Sequence, residues 1–254
     1  MEASAAGRLI EFENVVAGYS PTLTILNELS LDARAGEITL LIGPNGAGKS
    51  TVLKALFGLL TPRAGEIRFG GMRISGMSPR DMIDRGIAFV PQGRNLFASL
   101  SVLNNLELGG ITLPGRALRR ERVEEILELF PGIRERLGSQ ASTLSGGEQK
   151  QLEIGRALLL RPRVLLIDEP SIGLSPKISQ AVFQLLRRLA DSGTTVLMVE
   201  QNVRSALKCA DRALVLEMGR LALDRPAGEL LEDPNLNRLF LGGAAARTGR
   251  AAAP

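Results

Sequence analysis

The chain has 254 residues, of which 44% are hydrophobic and 23% charged, an ordinary globular composition with enough apolar residues for a substantial core. It contains no histidine and one cysteine, Cys209, which excludes histidine-dependent triads, histidine zinc sites and internal disulfides and favours a reducing compartment. The net charge of +4 is small and scattered, so no nucleic-acid partner is predicted. No apolar run reaches the ~20 residues that cross a bilayer, and we predict no secretory signal in residues 1–8.

The first predicted elements are two short antiparallel strands, at residues 9–16 and 25–31, where apolar and polar residues roughly alternate on either side of Ser20-Pro21. From residue 38 onward the apolar residues form continuous runs instead. Such runs are typical of parallel strands in a sheet covered on both faces by helices. They lie at residues 38–42, 87–90, 164–167, 195–199 and 213–216.

Between residues 93 and 161 the strand pattern disappears, and an apolar stripe over residues 116–130 indicates a helical insertion. We therefore predict one α/β domain over residues 9–241. Its core is formed by residues 9–92 and 161–241, and its helical subdomain by about 93–160. Residues 242–254 are of low complexity and are predicted to be a disordered tail.

A phosphate-binding loop is predicted between the apolar run 38–42 and the following helix. The segment matches the pattern G-x-x-x-x-G-K-[ST], and it consists of Gly43, Pro44, Asn45, Gly46, Ala47, Gly48, Lys49 and Ser50. Glycines let the backbone N–H groups point at one phosphate, and the helix N-terminus adds positive potential. Lys49 would neutralise the outer phosphates, and the Ser50 hydroxyl would ligate Mg²⁺. The alternative, an ordinary glycine-rich turn, does not account for the strand and helix on either side.

Two acidic residues, Asp168 and Glu169, follow the apolar run 164–167. In a parallel sheet the ligand crevice lies at the carboxyl ends of the strands, next to the phosphate loop. There Asp168 could hold Mg²⁺, while Glu169, pointing the other way because strand residues alternate, could polarise an attacking water. The alternative is that two acids simply end a strand at the solvent. The combination predicts phosphoanhydride hydrolysis.

A second anion site is predicted at the start of another helix, where Ser145 and Glu148 form a capping box. Capping alone does not explain Gly146 and Gly147, which weaken a helix but suit the close approach of an anion. Since Lys49 already marks one phosphate site, a second site implies that two chains complete each other.

With these motifs, nearly the whole chain resembles the ATP-binding subunits of ABC transporters. The resemblance implies a P-loop NTPase fold with a parallel-sheet core, an N-terminal antiparallel β subdomain and a helical insertion. It implies ATP and Mg²⁺ as cofactors, bound in part by Thr51 next to the phosphate loop. It also implies that the segment from Ser145 to Glu148 contacts the γ-phosphate held by the opposite subunit.

The resemblance also gives roles to two single residues. Tyr19 looks like the adenine-stacking aromatic, although a half-buried aromatic at a strand end is the alternative. Gln92 looks like the glutamine that touches Mg²⁺ and reports to the transmembrane subunit.

Two positions differ from the general family pattern. Gln201 stands where most such ATPases have a γ-phosphate-sensing histidine, and Ser175 stands where an aspartate is usual. Because an amide cannot carry the charge of an imidazolium, slow or partner-dependent hydrolysis is predicted.

Three segments together look like the LivF-type ATPases of branched-chain amino acid importers: Gly-Leu-Ser-Pro at 173–176, Val-Glu-Gln-Asn at 199–202 and Leu-Glu-Ile-Gly-Arg-Ala-Leu at 152–158. The segment Pro-Gln-Gly-Arg at 91–94 is also similar to the related urea and amide importers. The LivF type implies a LivG-like second ATPase, although a homodimer stays possible. It further implies two transmembrane permease subunits, a periplasmic or extracellular solute-binding protein, and a peripheral location at the cytoplasmic face of the cell membrane. Two alternatives remain open, a soluble ABC ATPase that acts outside transport and a regulatory subunit with little hydrolysis of its own.

Overall fold

The computed structural model describes residues 7–93 and 95–234, so the predicted tail at 242–254 lies outside the described residues. The strands are β1 (Arg8–Ala17), β2 (Leu26–Arg34), β3 (Ile38–Ile42), β4 (Ala64–Phe69), β5 (Met72–Arg73), β6 (Ile87–Val90), β7 (Val164–Asp168), β8 (Thr195–Val199), β9 (Arg212–Glu217) and β10 (Arg220–Pro226). The helices are α1 (Lys49–Leu56), α2 (Pro79–Asp84), α3 (Val102–Gly109), α4 (Arg116–Leu129), α5 (Pro131–Arg134), α6 (Gly146–Leu158), α7 (Pro176–Asp191), α8 (Val203–Leu207) and α9 (Ala227–Glu232).

A four-stranded antiparallel sheet contains the two strands predicted near the N-terminus. Its strand order is β2-β1-β4-β5, and β1 pairs with both β2 and β4. Strand β4 was not predicted, because only Ile67 and Phe69 of its six residues are buried and no clear alternation precedes them.

The main sheet has six strands in the order β10-β9-β3-β8-β7-β6. The five strands from β9 to β6 are parallel, as the continuous apolar runs predicted, and β10 adds an antiparallel edge. Every residue of β3 is buried: Ile38, Leu40 and Ile42 point into one core, and Leu41 points into the other. One face is covered by helices and the other by α1 and the antiparallel sheet, which is why apolar residues occupy both faces.

Helices α3 to α6 lie between residues 102 and 158, and among the described residues from 95 to 163 no extended strand occurs. The helical insertion is therefore confirmed as a run of helices, while its exact boundaries stay a prediction. No helix of the described residues is long and apolar enough to cross a membrane.

The sheet order places four loops side by side. Strands β3, β8, β7 and β6 are neighbours and parallel, so the loops that follow them leave the same edge of the sheet. These loops carry the phosphate-loop segment, Gln201, the pair Asp168 and Glu169, and Gln92.

Candidate nucleotide site

The phosphate loop wraps around the start of α1. Gly43 has a φ of 145°, and a Cβ added there would lie 2.1 Å from the carbonyl oxygen of Leu216, so only glycine fits. Gly48, with a φ of 102°, precedes α1 and provides no side-chain cap. No side chain caps the first N–H groups of α1, so they are available to an anion.

Lys49 lies within this loop and is 7% exposed. Its Nζ donates to the carbonyl oxygens of Gly43 at 2.8 Å and Pro44 at 3.0 Å. Burial lowers the pKa of Lys49, and the nearby charges of Glu169 and Asp168 oppose that shift. An incoming phosphate would give this ammonium a full charge partner in place of two carbonyl dipoles.

Asp168 and Ser50 form an oxygen pair beside the loop. The Ser50 hydroxyl donates to Oδ1 of Asp168 at 3.2 Å, and Asp168 is 2% exposed. Burial raises the pKa of Asp168, while the hydrogen bond from Ser50 opposes the shift. A carboxylate and a hydroxyl are hard oxygen donors of the kind that bind Mg²⁺ together with substrate phosphates. Among the described residues there is no larger cluster of acidic or thiol ligands that could hold a metal without the substrate.

Glu169 is 6% exposed and is held by two amide side chains. Gln92 Nε2 donates to its Oε2 at 2.6 Å, and Gln201 Nε2 donates to its Oε1 at 2.7 Å. Strand β7 ends at Asp168, and Glu169 has a φ of 49°. Glu169 thus lies beyond the end of the strand in a left-handed conformation, so strand alternation does not orient its side chain, which is held instead by the two amides.

Glu200 also belongs to this region, and sequence reasoning missed it. Its carboxylate, 2% exposed, accepts backbone N–H groups from Ser171 at 2.7 Å, Gln201 at 2.8 Å and Asn202 at 3.0 Å. It thus ties the loop after Glu169 to the loop that carries Gln201. The signal in the sequence that could have identified Glu200 is an acidic residue directly after the apolar run 195–199.

Tyr19 lies beside α1 and is 53% exposed, which fits the half-buried alternative as well as a stacking role. Its hydroxyl lies 3.4 Å from Thr51 Oγ1 and accepts from Lys54 Nζ at 3.2 Å. The ring thus stands near the phosphate loop, with Lys54 Nζ over it at 5.2 Å from the ring centroid. Lys54, which contacts it, was not predicted to take part.

The segment from Ser145 to Glu148 forms the predicted capping box at the start of α6, with Ser145 N–H donating to Glu148 Oε2 at 2.7 Å. A Cβ on Gly147 would lie 2.8 Å from the Ile178 side chain, whereas a Cβ on Gly146 would meet no atom closer than 3.7 Å. Packing against Ile178 therefore accounts for glycine at position 147. The close approach of an anion is then needed to account only for Gly146. Within residues 7–93 and 95–234, no hydrogen bond joins this segment to the phosphate loop.

Known proteins with similar sequences and structures point to one family. The model of the family described as "ABC transporter" matches residues 26–172, more than half of the chain. The chain is 42% identical over 235 residues to the high-affinity branched-chain amino acid transport ATP-binding protein BraG of Pseudomonas aeruginosa, covering 92% of this chain and 100% of BraG. It is 39% identical to a probable branched-chain amino acid transport ATP-binding protein LivF of Archaeoglobus fulgidus, and the match covers 89% of this chain and 95% of that protein. A crystal structure of the ADP conformation of MJ1267, an ATP-binding cassette of an ABC transporter, superposes on this chain with a TM-score of 0.83 at 27% sequence identity. The match covers 92% of this chain and 99% of MJ1267.

Proposed function

Because this chain belongs to the ABC transporter ATP-binding family and is an ATPase of that family, we propose that it drives the uptake of branched-chain amino acids. The observation that carries the proposal is the convergence of four loops on one site: the phosphate loop, the carboxylates Asp168 and Glu169, and the amides of Gln92 and Gln201. The transported solute is proposed from the names of BraG and LivF, and urea or a small amide is the second candidate.

In the proposed mechanism, the phosphate loop and Lys49 bind the β- and γ-phosphates through N–H groups and one ammonium. Ser50 and Asp168 would hold Mg²⁺, which would neutralise charge on the phosphate oxygens. Glu169 orients a water toward the γ-phosphate and accepts its proton. Each oxygen of Glu169 accepts one amide hydrogen and has a second lone pair, so this carboxylate can accept a bond from water while Gln92 and Gln201 hold it in place.

We propose that the site is completed by a second ATPase subunit, through the segment from Ser145 to Glu148. In the described part of the chain this segment makes no hydrogen bond to the phosphate loop, which supports its use on the partner's nucleotide. A LivG-like subunit is favoured by the resemblance to LivF-type ATPases. A homodimer is the alternative that the experiment below distinguishes.

A cleft next to the Gln92 loop supports a membrane partner at the cytoplasmic face. The cleft has a volume of about 150 Å³ and runs between the sheet core and α6. Ile83 and Phe89 line its core side, and Arg156, which has one buried guanidinium nitrogen without a partner, lines the other. Such a surface suits a short segment of a permease subunit, with the solute-binding protein contacting the complex from the far side of the membrane.

Glu169→Gln tests the proposal through the mass of the complex. The substitution removes the base, so hydrolysis should fall by about 10² to 10⁴, and a closed dimer should accumulate on addition of Mg-ATP. Light scattering should then show 27.2 kDa without nucleotide and twice that mass with Mg-ATP, if two copies suffice. Glu128→Gln, on the exposed face of α4, is the matched control and should leave hydrolysis unchanged. A chain that binds Mg-ATP yet stays monomeric would require the non-identical partner, and failure to bind Mg-ATP would refute the proposed function.

The proposed solute requires a separate measurement. Cells that depend on this chain for uptake should accumulate labelled leucine, and cells carrying Glu169→Gln should not. Accumulation of labelled urea with no accumulation of leucine would assign the chain to the second candidate.

A further inference from the structure

Helix α6 contains a buried ion pair that the site described above does not use. The side chains of Lys150 and Glu153 are 6% and 4% exposed, and Lys150 Nζ lies 2.5 Å from Glu153 Oε2. Charges this far from water are costly unless hydrogen bonds satisfy them. The second oxygen of Glu153, Oε1, accepts the backbone N–H of Asn95 at 2.7 Å. Both oxygens of this carboxylate are therefore engaged, one within α6 and one outside it.

Asn95 belongs to the loop that carries Gln92. Its side-chain Nδ2 donates back to the carbonyl oxygens of Pro91 at 3.2 Å and Gln92 at 3.4 Å. Glu153 thus holds the end of a compact loop, and Gln92 in that loop donates to Glu169. A continuous series of hydrogen bonds leads from the middle of α6 to the carboxylate next to the phosphate loop.

We propose that Glu153, neutralised by Lys150, is a positioning residue that transmits the position of α6 to Gln92 and so to Glu169. The inference rests on the proposed function, because it takes the start of α6 to contact the nucleotide on the partner subunit. Ser145 and Glu153 are eight positions apart, about 12 Å along one helix. A helix moves as a rigid element over that distance, so a shift at its start shifts Glu153 equally. Occupancy of the partner's site would thereby set the hydrogen bonding of this subunit's own base.

Two double variants separate this role from folding, since each removes both buried charges. Lys150→Met with Glu153→Gln keeps an oxygen that accepts the Asn95 N–H. Lys150→Met with Glu153→Leu fills the space but offers no acceptor. Replacing a buried ion pair by uncharged side chains is often neutral for stability, so both proteins should fold. Glu125→Leu, which removes the partly exposed ion pairs with Arg122 and Arg161, controls for an unspecific loss of activity.

The leucine double variant should lower kcat for ATP about tenfold, with KM within about twofold, because a hydrogen bond to a charged group is lost from the series that positions the base. The glutamine double variant should retain kcat within about threefold of the parent. In a Gln92→Ala background the difference between the two double variants should disappear, because the series is already interrupted. Equal kcat values for the two double variants, or the same tenfold difference in the Gln92→Ala background, would overturn the inference.

A fluorescence measurement gives a readout that does not need hydrolysis. The chain has no tryptophan, and Phe97, which follows the Gln92 loop, is 52% exposed. With Phe97→Trp and Glu169→Gln as the parent, Mg-ATP should change the emission of the tryptophan. The change should persist with the glutamine double variant and be lost with the leucine double variant. If the parent binds Mg-ATP and the chain with Glu169 intact hydrolyses it, but both double variants respond alike, the inference fails while the proposed function stands.

Discussion

Arg212 joins the two sheets of the protein, and its removal should destabilise the fold measurably. The residue lies at the start of β9 and is 9% exposed. Its Nη1 donates to Asp32 Oδ2 of β2 at 2.7 Å, and its Nε donates to Asp224 Oδ1 of β10 at 2.6 Å. The contact with Asp32 connects the main sheet, which carries the phosphate loop, with the antiparallel sheet. We therefore propose Arg212→Met, which retains the apolar stem and removes the guanidinium.

The magnitude follows from the exposure of the partners. Breaking a buried ion pair from one side costs about 3–5 kcal/mol, and an exposed pair contributes about 0–1 kcal/mol. The Asp32 side chain is 18% exposed and that of Asp224 is 37% exposed. We therefore expect a loss of about 2–3 kcal/mol in the free energy of unfolding, or about 4–12 °C in Tm for a chain of this size.

Thermal unfolding followed by circular dichroism measures this loss. Arg188→Met, on the exposed side of α7, is the matched control and should change stability by less than about 0.5 kcal/mol. Burial raises the pKa of Asp32, but the hydrogen bond and charge of Arg212 outweigh burial and hold this pKa below its usual 3.8. The contribution of the Arg212–Asp32 pair to the free energy of unfolding is therefore complete above pH 3.8. It is lost as the pH falls through the lower pKa that Asp32 has in the folded state. A Tm equal to that of the Arg188 variant at pH 7, or a difference from the parent that persists unchanged well below pH 3.8, would refute the reasoning.

Three further predictions concern the site and its surroundings. Gly147→Ala should lower the Tm because its Cβ would press on Ile178, whereas Gly146→Ala should leave the Tm unchanged and slow ATP hydrolysis; equal Tm values would contradict this packing argument. Gln201→His should introduce an inflection into the pH profile of ATP hydrolysis between about pH 6 and 8, which the histidine-free parent lacks; identical profiles would show that position 201 does not contact the reacting groups. Burial raises the pKa of the Cys209 thiol to about 12, so the native protein should react with a thiol reagent far more slowly than the protein unfolded in urea, and equal rates would contradict the burial.

The sequence by itself determined the parallel sheet and the phosphate loop. Strands β3, β7 and β8 are buried on both faces, so their apolar runs are continuous and easily recognised. The glycines, Lys49 and Ser50 are adjacent in the chain and act through local backbone conformation, which a short pattern records completely. Strand β10 was missed for the opposite reason, because it forms an exposed edge with no uninterrupted apolar run.

Only the tertiary structure decided which polar groups satisfy one another. Glu169 meets Gln92 and Gln201, which are 77 and 32 residues away in the chain, because parallel strands end at one edge of the sheet. Glu153 meets the N–H of Asn95 across 58 residues because α6 packs beside the end of β6. Buried carboxylates must find hydrogen-bond donors, but a sequence does not record which distant donors the fold brings within 3 Å. The residues that carry the chemistry of this protein could be recognised in short segments of the sequence. Their positions relative to one another depend on contacts between segments far apart in the chain.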